Sequence, residues 1–139
     1  MVSKVAVGVD ASRTAGEAVS MAAELARRFD AELVLLSAYA DGGGAGRGGD
    51  SELEWATSTS ARQREILART ERGLRENGVR CSTLIAEGDP ADVLVRLAAQ
   101  CSADILVVGN KGMQKRFLGS VPNAVTHKAG CSVLLVKTT

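Results

Sequence analysis

Residues 107–125, VVGNKGMQKRFLGSVPNAV, begin as a continuous apolar run and end as the start of a helix. Three glycines stand between these two parts: Gly109, Gly112 and Gly119. A buried strand followed by a loop and a helix is the building unit of parallel α/β sheets. The stretch therefore predicts such a unit, with an unusually bare backbone in its loop.

Five short apolar runs share the character of this strand, at residues 4–9, 32–39, 81–86, 104–109 and 132–137. Each is too continuous to alternate between a core face and a solvent face, which is typical of strands buried on both sides. Helical patterns separate the runs, over residues 13–29, 51–77, 90–100 and 120–129. The sequence therefore predicts an α/β fold, an open five-stranded parallel sheet with helices on both faces.

Local signals predict where these helices begin and end. Ser51–Glu54 has the form of a capping box that would begin the second helix, and Asn77–Gly78 would end it. Asp89 and Pro90 are a favoured N-cap and first helical residue for the third helix. Pro122 suits only the first turn of the last helix.

Composition bounds the class of protein. The 139 residues suit one domain over residues 1–139, and 45% hydrophobic residues suffice for an aliphatic core. A formal net charge of +1 with 3% aromatic residues argues against nucleic acid as a partner. No apolar run approaches about 18 residues, so we expect no membrane span.

The three cysteines, Cys81, Cys101 and Cys131, are far apart and odd in number. This spacing argues against a disulfide framework or a zinc site. We expect buried, reduced thiols and a cytoplasmic protein.

The segment DGGGAGRGGD, residues 41–50, matches the G-x-G-x-x-G pattern through Gly44, Gly46 and Gly49. The match follows from the abundance of glycine, and no tight turn leads into the next helix. We expect a flexible loop, with a flap that faces a ligand as the alternative.

In an open α/β sheet, ligands bind at the carboxyl ends of the strands, where the chain order reverses. For the order 3-2-1-4-5 this point lies between the first strand, followed by Asp10, and the fourth strand, followed by Gly109–Gly112. Glycines and the helix beginning near Ser120 could present backbone N–H groups to an anion there, and a Cβ at Gly119 would be expected to block its approach. A tight turn with Ser120 as an ordinary helix cap, and Asp10 as a cap of the first helix, is the alternative.

These motifs, VVGNKG…LGSVPNAV with VGVDAS and EGDPADVLVRLA, resemble the universal stress protein family over nearly the whole chain. The resemblance implies a Rossmann-like, adenine nucleotide alpha hydrolase-like fold with strand order 3-2-1-4-5. It also implies a homodimer formed through the last strand, residues 132–137.

The same resemblance implies roles for individual residues, and it implies no catalytic residue. Asp10 would contact the ribose or a Mg²⁺ ion, Ala38 would offer backbone groups to adenine, and Val108 would pack near the base. The other site residues that the resemblance implies would line the pocket or contact ribose and phosphate: Gly8, Val9, Gly109, Lys111, Gly112, Gly119, Ser120 and Val121.

One part of the motif is shorter than the family's. Six residues, MQKRFL, separate Gly112 from Gly119, so the pattern is G-x2-G-x6-G-S instead of G-x2-G-x9-G-[ST]. Lys115 and Arg116 lie in this loop and are possible phosphate contacts, or a solvated basic turn. The shortening affects a triphosphate more than a monophosphate or a cyclic nucleotide.

The sequence therefore predicts a regulatory stress-response protein that binds an adenine nucleotide, ATP first. AMP or cyclic AMP is the alternative ligand. A slow ATPase, or a dimeric interaction module that binds no nucleotide, is the alternative function.

Overall fold

The computed structural model describes residues 1–10, 15–40, 59–111 and 119–138, with no description of the Lys111 side chain. Strands and helices alternate along these residues. The strands are β1 (Lys4–Gly8), β2 (Glu32–Tyr39), β3 (Cys81–Glu87), β4 (Ile105–Lys111) and β5 (Ser132–Thr138). The helices are α1 (Ala15–Phe29), α2 (Ser60–Glu76), α3 (Pro90–Gln100) and α4 (Ser120–Lys128).

All five strands are parallel and lie in the order β3-β2-β1-β4-β5. This arrangement confirms the predicted fold class and strand order. The central strand β1 pairs with β2 on one side and with β4 on the other. The chain order therefore reverses between β1 and β4, where a ligand crevice is expected.

The core forms two layers, one on each face of the sheet. Helices α1 and α2 cover one face, where Val5, Val7 and Leu35 are completely buried. Helices α3 and α4 cover the other face, where Leu36 and Leu94 are completely buried. Full burial of a side chain of this kind contributes roughly 1.5–3 kcal/mol to folding. The carboxyl ends of β1 and β4 are thus anchored in a packed core.

The predicted signals at the ends of α2 and α3 have different outcomes. Asp89 is the N-cap of α3 and accepts from the Asp92 N–H at 3.2 Å, with Pro90 as the first helical residue. Gly78 follows α2 with a φ of 79°, a left-handed conformation that favours glycine. The helix predicted over 51–77 is not continuous, because Thr59 is extended and α2 begins at Ser60, and its predicted start over 51–58 lies outside the described residues.

Several predicted features lie outside the described residues. They are the capping signals at 51–54, the glycine-rich segment 41–50, Gly112, Lys115 and Arg116. Within the described ranges, none of the helices has the length and apolar character needed to cross a membrane.

The cysteines are free thiols, but they differ in burial. Cys81 is buried as predicted, whereas Cys101 and Cys131 are only half-buried, so that part of the prediction is wrong. Burial raises the pKa of all three thiols, which favours their protonated form at neutral pH. The cysteines therefore act mainly as small apolar residues.

The first residues of the chain are fastened to the start of β4 by Asp104. Its carboxylate accepts from the backbone N–H groups of Ser3 at 2.8 Å and Lys4 at 3.0 Å. These two hydrogen bonds hold the pKa of the Asp104 carboxyl below its usual range. The stabilisation is therefore complete above the unfolded-state pKa and is lost as the pH falls through the folded-state pKa.

We expect Asp104→Asn to lower the urea midpoint at pH 7, and the gap from wild type to shrink as the pH falls below about 4. Urea unfolding of both proteins at several pH values from 7 to 3 measures this gap. Glu65→Gln, which removes an exposed carboxylate on α2, is the control. A gap that does not change with pH would contradict the role assigned to the carboxylate.

Candidate functional site

The candidate site is the crevice that opens between β1 and β4 at the carboxyl edge of the sheet. The ladder between these strands ends at the pair Val7–Val107. Beyond it, β1 continues to pair with β2 through Gly8, and β4 continues to pair with β5 through Lys111. The two strands therefore separate, and their following residues form the two walls of a cleft.

The wall that follows β1 contains Val9 and Asp10. The Val9 N–H donates to the Leu36 carbonyl at 2.8 Å, which extends the pairing with β2 by one residue. The Val9 carbonyl accepts from the Ser37 hydroxyl at 2.7 Å and from the Gln63 side-chain amide at 3.3 Å. The peptide group that leads into Asp10 is therefore held in a fixed orientation.

The opposite wall is fixed by Asn110, whose side chain is almost completely buried. Its Oδ1 accepts from the Gly119 N–H at 2.8 Å, so the end of β4 is connected directly to the start of α4. Gly119 has an ordinary extended conformation, with φ −62° and ψ 165°. Its place in the chain is therefore not explained by a need for left-handed backbone.

The start of α4 presents backbone donors. The first helical hydrogen bond runs from the Asn123 N–H to the Gly119 carbonyl at 2.9 Å. The N–H groups of Ser120 and Val121 precede this bond, and Pro122 has no N–H. These groups, with the positive end of the helix dipole, favour an anion.

The alternative that Ser120 caps α4 is wrong. Gly119 is the N-cap, without a side-chain capping bond, and Ser120 is the first helical residue. The Ser120 side chain is exposed, whereas Val121 is buried in the core. Only the backbone of Val121 is therefore placed to reach a ligand, while the Ser120 hydroxyl is free to do so.

Two glycines of the predicted site lie where neighbouring side chains pack closely. A Cβ at Gly8 would lie 3.0 Å from Leu94 Cδ1, and a Cβ at Gly109 would lie 3.2 Å from Thr138 Cγ2. Both distances are shorter than a comfortable carbon–carbon contact. Close approach of α3 to β1, and of β5 to β4, therefore accounts for these glycines without a ligand.

The predicted residues do not all share one face of the sheet. Ala38, Val108 and Val121 belong to the core layer covered by α3 and α4. Val9 belongs to the layer covered by α1 and α2. Lys111 is the last residue of β4, and its backbone pairs with Thr138. The crevice thus brings together main-chain groups from both layers.

A cavity of 310 Å³ adjoins Asp10 on the side of α1 and α2. Its charged lining residues besides Asp10 are Arg62 and Arg69, which are exposed on α2. They stand seven residues apart, two helical turns, and so lie on the same side of the helix. Two guanidinium groups in this position favour an anionic group, and the sequence analysis did not identify them.

The fit of a Mg²⁺ ion is limited to Asp10. Among the described residues, no group of three His, Cys, Asp or Glu side chains could hold a metal ion. Magnesium commonly binds through one or two carboxylates together with substrate phosphates. The residues therefore suit Mg²⁺ only as a companion of a bound nucleotide.

Sequence reasoning also missed Ser37, Gln63 and Asn110, which hold the walls of the crevice. All three are polar and almost completely buried. Gln63 gives a usable signal, because it stands four residues before the buried Leu67, where the helical pattern calls for an apolar side chain. Ser37 interrupts an apolar strand in the same way.

The sequence model of the universal stress protein family matches residues 1–137. The chain belongs to this family. A universal stress protein from Mycobacterium tuberculosis is 36% identical over 141 aligned positions, which cover 97% of this chain and 96% of the relative.

Solved universal stress protein structures share the fold. One in complex with cAMP has a TM-score of 0.75 and 30% identity, and the match covers 99% of this chain and 98% of that chain. One from Arabidopsis thaliana with AMP bound has a TM-score of 0.75 and 25% identity, covering 99% and 92%. Similarity to universal stress proteins therefore extends over almost the whole chain.

Proposed function

We propose that this universal stress protein binds an adenine nucleotide in the crevice between β1 and β4 and acts as a regulatory module in a stress response. The proposal rests mainly on the separation of these strands, with Asp10 on one wall of the crevice and the N–H groups at the start of α4 on the other. The cAMP and AMP complexes of its structural relatives support this choice of ligand.

In this proposal the phosphate binds to the backbone N–H groups of Ser120 and Val121, beside Gly119, whose own N–H donates to Asn110. Charge-assisted hydrogen bonds from N–H groups to a phosphate are stronger than those to a neutral acceptor. The nucleoside end lies toward Asp10 and Ala38, with Asp10 contacting the ribose or a Mg²⁺ ion bound to the phosphates. Gly8, Val9, Val108, Gly109 and Lys111 complete the pocket. Outside the described residues, Gly112 is assigned to the ribose and phosphate, and Lys115 and Arg116 are candidates for additional phosphate contacts.

The ligand is identified by thermal unfolding in the presence of ATP, ADP, AMP or cyclic AMP. A ligand at about 100 times its dissociation constant should stabilise the fold by roughly 2.7 kcal/mol, a clear shift of the melting temperature. ATP is the first ligand to test, and the AMP and cAMP complexes of relatives make these the alternatives.

Repeating the measurement with and without Mg²⁺ tests the metal role of Asp10. A Mg²⁺-dependent shift with ATP that Asp10→Asn removes would support it. If none of the four nucleotides shifts the melting temperature, and a denatured sample releases no nucleotide, the proposed function is wrong.

We also propose a cytoplasmic homodimer formed through β5, residues 132–137. Strand β5 lies at an edge of the sheet, where unpaired backbone groups can pair with another strand. Three consecutive apolar residues on it, Val133, Leu134 and Leu135, are only partly buried. The same edge supports the alternative function, a dimeric interaction module without a nucleotide. Sedimentation equilibrium distinguishes a dimer from a monomer.

A further inference from the structure

We infer that Gln63 is a positioning residue for the nucleoside half of the crevice, acting through the backbone of Val9 and Ala38. This inference rests on the proposed function. Gln63 lies on α2, outside the motif that carries the family resemblance. It comes within reach of the crevice only through the fold, because 54 residues separate it from Val9.

The Gln63 side chain connects the ends of the two strands that form this half of the crevice. Its Nε2 donates to the Val9 carbonyl at 3.3 Å and to the Ala38 carbonyl at 3.4 Å. It also contacts the Ser37 hydroxyl, which itself donates to Val9. One side-chain amide therefore joins α2 to the carboxyl ends of both β1 and β2.

The hydrogen bonds of Gln63 fix the orientation of the two peptide groups that follow Val9 and Ala38. The Val9 carbonyl belongs to the peptide that carries the Asp10 N–H, and the Ala38 carbonyl belongs to the peptide that carries the Tyr39 N–H. Fixing these carbonyls fixes the planes of both peptides, because a peptide group is planar. The backbone proposed to recognise adenine and the residue proposed to contact the ribose are thus set by one side chain.

Burying the polar side chains of Gln63 and Ser37 lowers the stability of the fold unless their polar atoms are hydrogen-bonded. Gln63 and Ser37 are completely buried, and the Gln63 Oε1 finds no hydrogen-bond partner within the part of the chain that the structure describes. A buried amide oxygen without a partner is destabilising, whereas an apolar residue would satisfy the helical pattern of α2. Retaining glutamine here is therefore better explained by what its amide nitrogen holds than by packing of the core.

The Ala38 carbonyl can accept from Gln63 and still accept from a ligand, since a carbonyl oxygen has two lone pairs. The 6-amino group of adenine is a donor suited to this position. A carbonyl held in place before the ligand arrives avoids the entropy cost of ordering it on binding. Gln63 is therefore expected to contribute to selection of the base more than to binding of the phosphate.

The test replaces Gln63 by Met, which keeps the length of the side chain and removes its donors. Dissociation constants are measured by calorimetry for AMP and for purine riboside 5′-monophosphate, which lacks the 6-amino group. Gln63→Met should weaken AMP binding about tenfold and should weaken purine riboside monophosphate binding much less. The preference for adenine over purine then falls by a similar factor.

Two controls separate positioning from stability. Leu67→Ala removes a buried apolar side chain one turn later on the same face of α2, so it destabilises the helix without removing these hydrogen bonds. It should lower the melting temperature and keep the preference for adenine. Independently of any ligand, Gln63→Met should shift the amide NMR resonances of Asp10 and Tyr39, and Gln63→Glu, which lacks the donors, should shift them as well.

The outcomes distinguish this inference from the proposed function. If wild type binds AMP and Gln63→Met keeps the preference for adenine, the inference is wrong and the proposed function stands. The same conclusion follows if Leu67→Ala reduces that preference equally. If wild type binds none of ATP, ADP, AMP and cyclic AMP, the proposed function fails and this inference fails with it.

Discussion

Gly119→Val is expected to weaken adenine nucleotide binding by roughly 100-fold or more, whereas Gly119→Ala should change it by less than about threefold. A Cβ at Gly119 would lie 3.4 Å from Asn110 Oδ1 and 3.5 Å from ring carbons of Pro122, which are ordinary contacts. The φ of −62° suits any residue. Alanine therefore fits without displacing the start of α4.

Valine carries two further carbons toward the same neighbours. Because the Cβ already lies in contact with Asn110 and Pro122, we expect these carbons to displace Asn110 or the start of α4, and the Asn110–Gly119 hydrogen bond of 2.8 Å is the contact most directly affected. The N–H groups of Ser120 and Val121 would then lose their alignment with the phosphate. Two charge-assisted hydrogen bonds, each contributing about 1.5–3 kcal/mol, account for the expected loss.

This mechanism differs from the one expected from sequence, in which any Cβ would block the anion directly. The structure directs the Cβ at Gly119 toward Asn110 and Pro122. Calorimetric titration of both variants with AMP and ATP decides between the two mechanisms. Equal, large losses for alanine and valine would support direct blocking and would contradict the role of Asn110. Circular dichroism should show the same helix content in both variants, since alanine and valine are similarly poor N-caps and the cost of replacing glycine, about 1 kcal/mol, is common to both.

The strands were predictable because a parallel strand buried on both faces appears in the sequence as a continuous run of apolar residues. Each apolar run coincides with an observed strand to within two residues at either end. The order of the strands in the sheet could not be predicted in this way, since an apolar run does not indicate which other strands it pairs with. It followed from the family resemblance, and the observed pairing confirms it.

The start of α2 shows where local signals leave more than one choice open. Ser51–Glu54 and Thr59 both carry the residue types that begin helices, and sequence alone gives no reason to prefer the second. In the structure, Thr59 is itself extended and its side chain accepts from the Arg62 N–H at 3.2 Å, so Thr59 is the N-cap of α2.

The walls of the crevice were less predictable than its position. Asp10 and Gly119 stand beside recognisable motifs, but Gln63 and Asn110 act through contacts that join distant parts of the chain. A polar residue at a buried position of the sequence pattern indicates that it needs a hydrogen-bond partner, but the identity of that partner depends on the three-dimensional fold. The sequence therefore indicated where the site lies and not what holds it.

Gly8→Ala and Leu94→Ala should each destabilise the fold, by about 1–3 kcal/mol and about 2–5 kcal/mol respectively. A Cβ at Gly8 would lie 3.0 Å from Leu94 Cδ1 and 3.3 Å from Leu94 Cδ2, and Leu94 is completely buried. The alanine at position 8 therefore overpacks the interface between β1 and α3. The alanine at position 94 leaves a cavity at the same point.

The double variant should be more stable than the sum of the single effects predicts, by roughly 1 kcal/mol, because the new Cβ occupies part of the cavity. Urea unfolding of the four proteins gives this coupling energy. Gly8→Ala combined with Leu97→Ala is the matched control, because the three atoms nearest to the Gly8 Cβ all belong to Leu94. Its effects should be additive. Coupling with Leu94 would show that a Cβ at position 8 competes with Leu94 for the same space. Packing would then account for glycine at position 8, whereas at Gly119 the fold leaves room for a Cβ and packing does not account for the glycine.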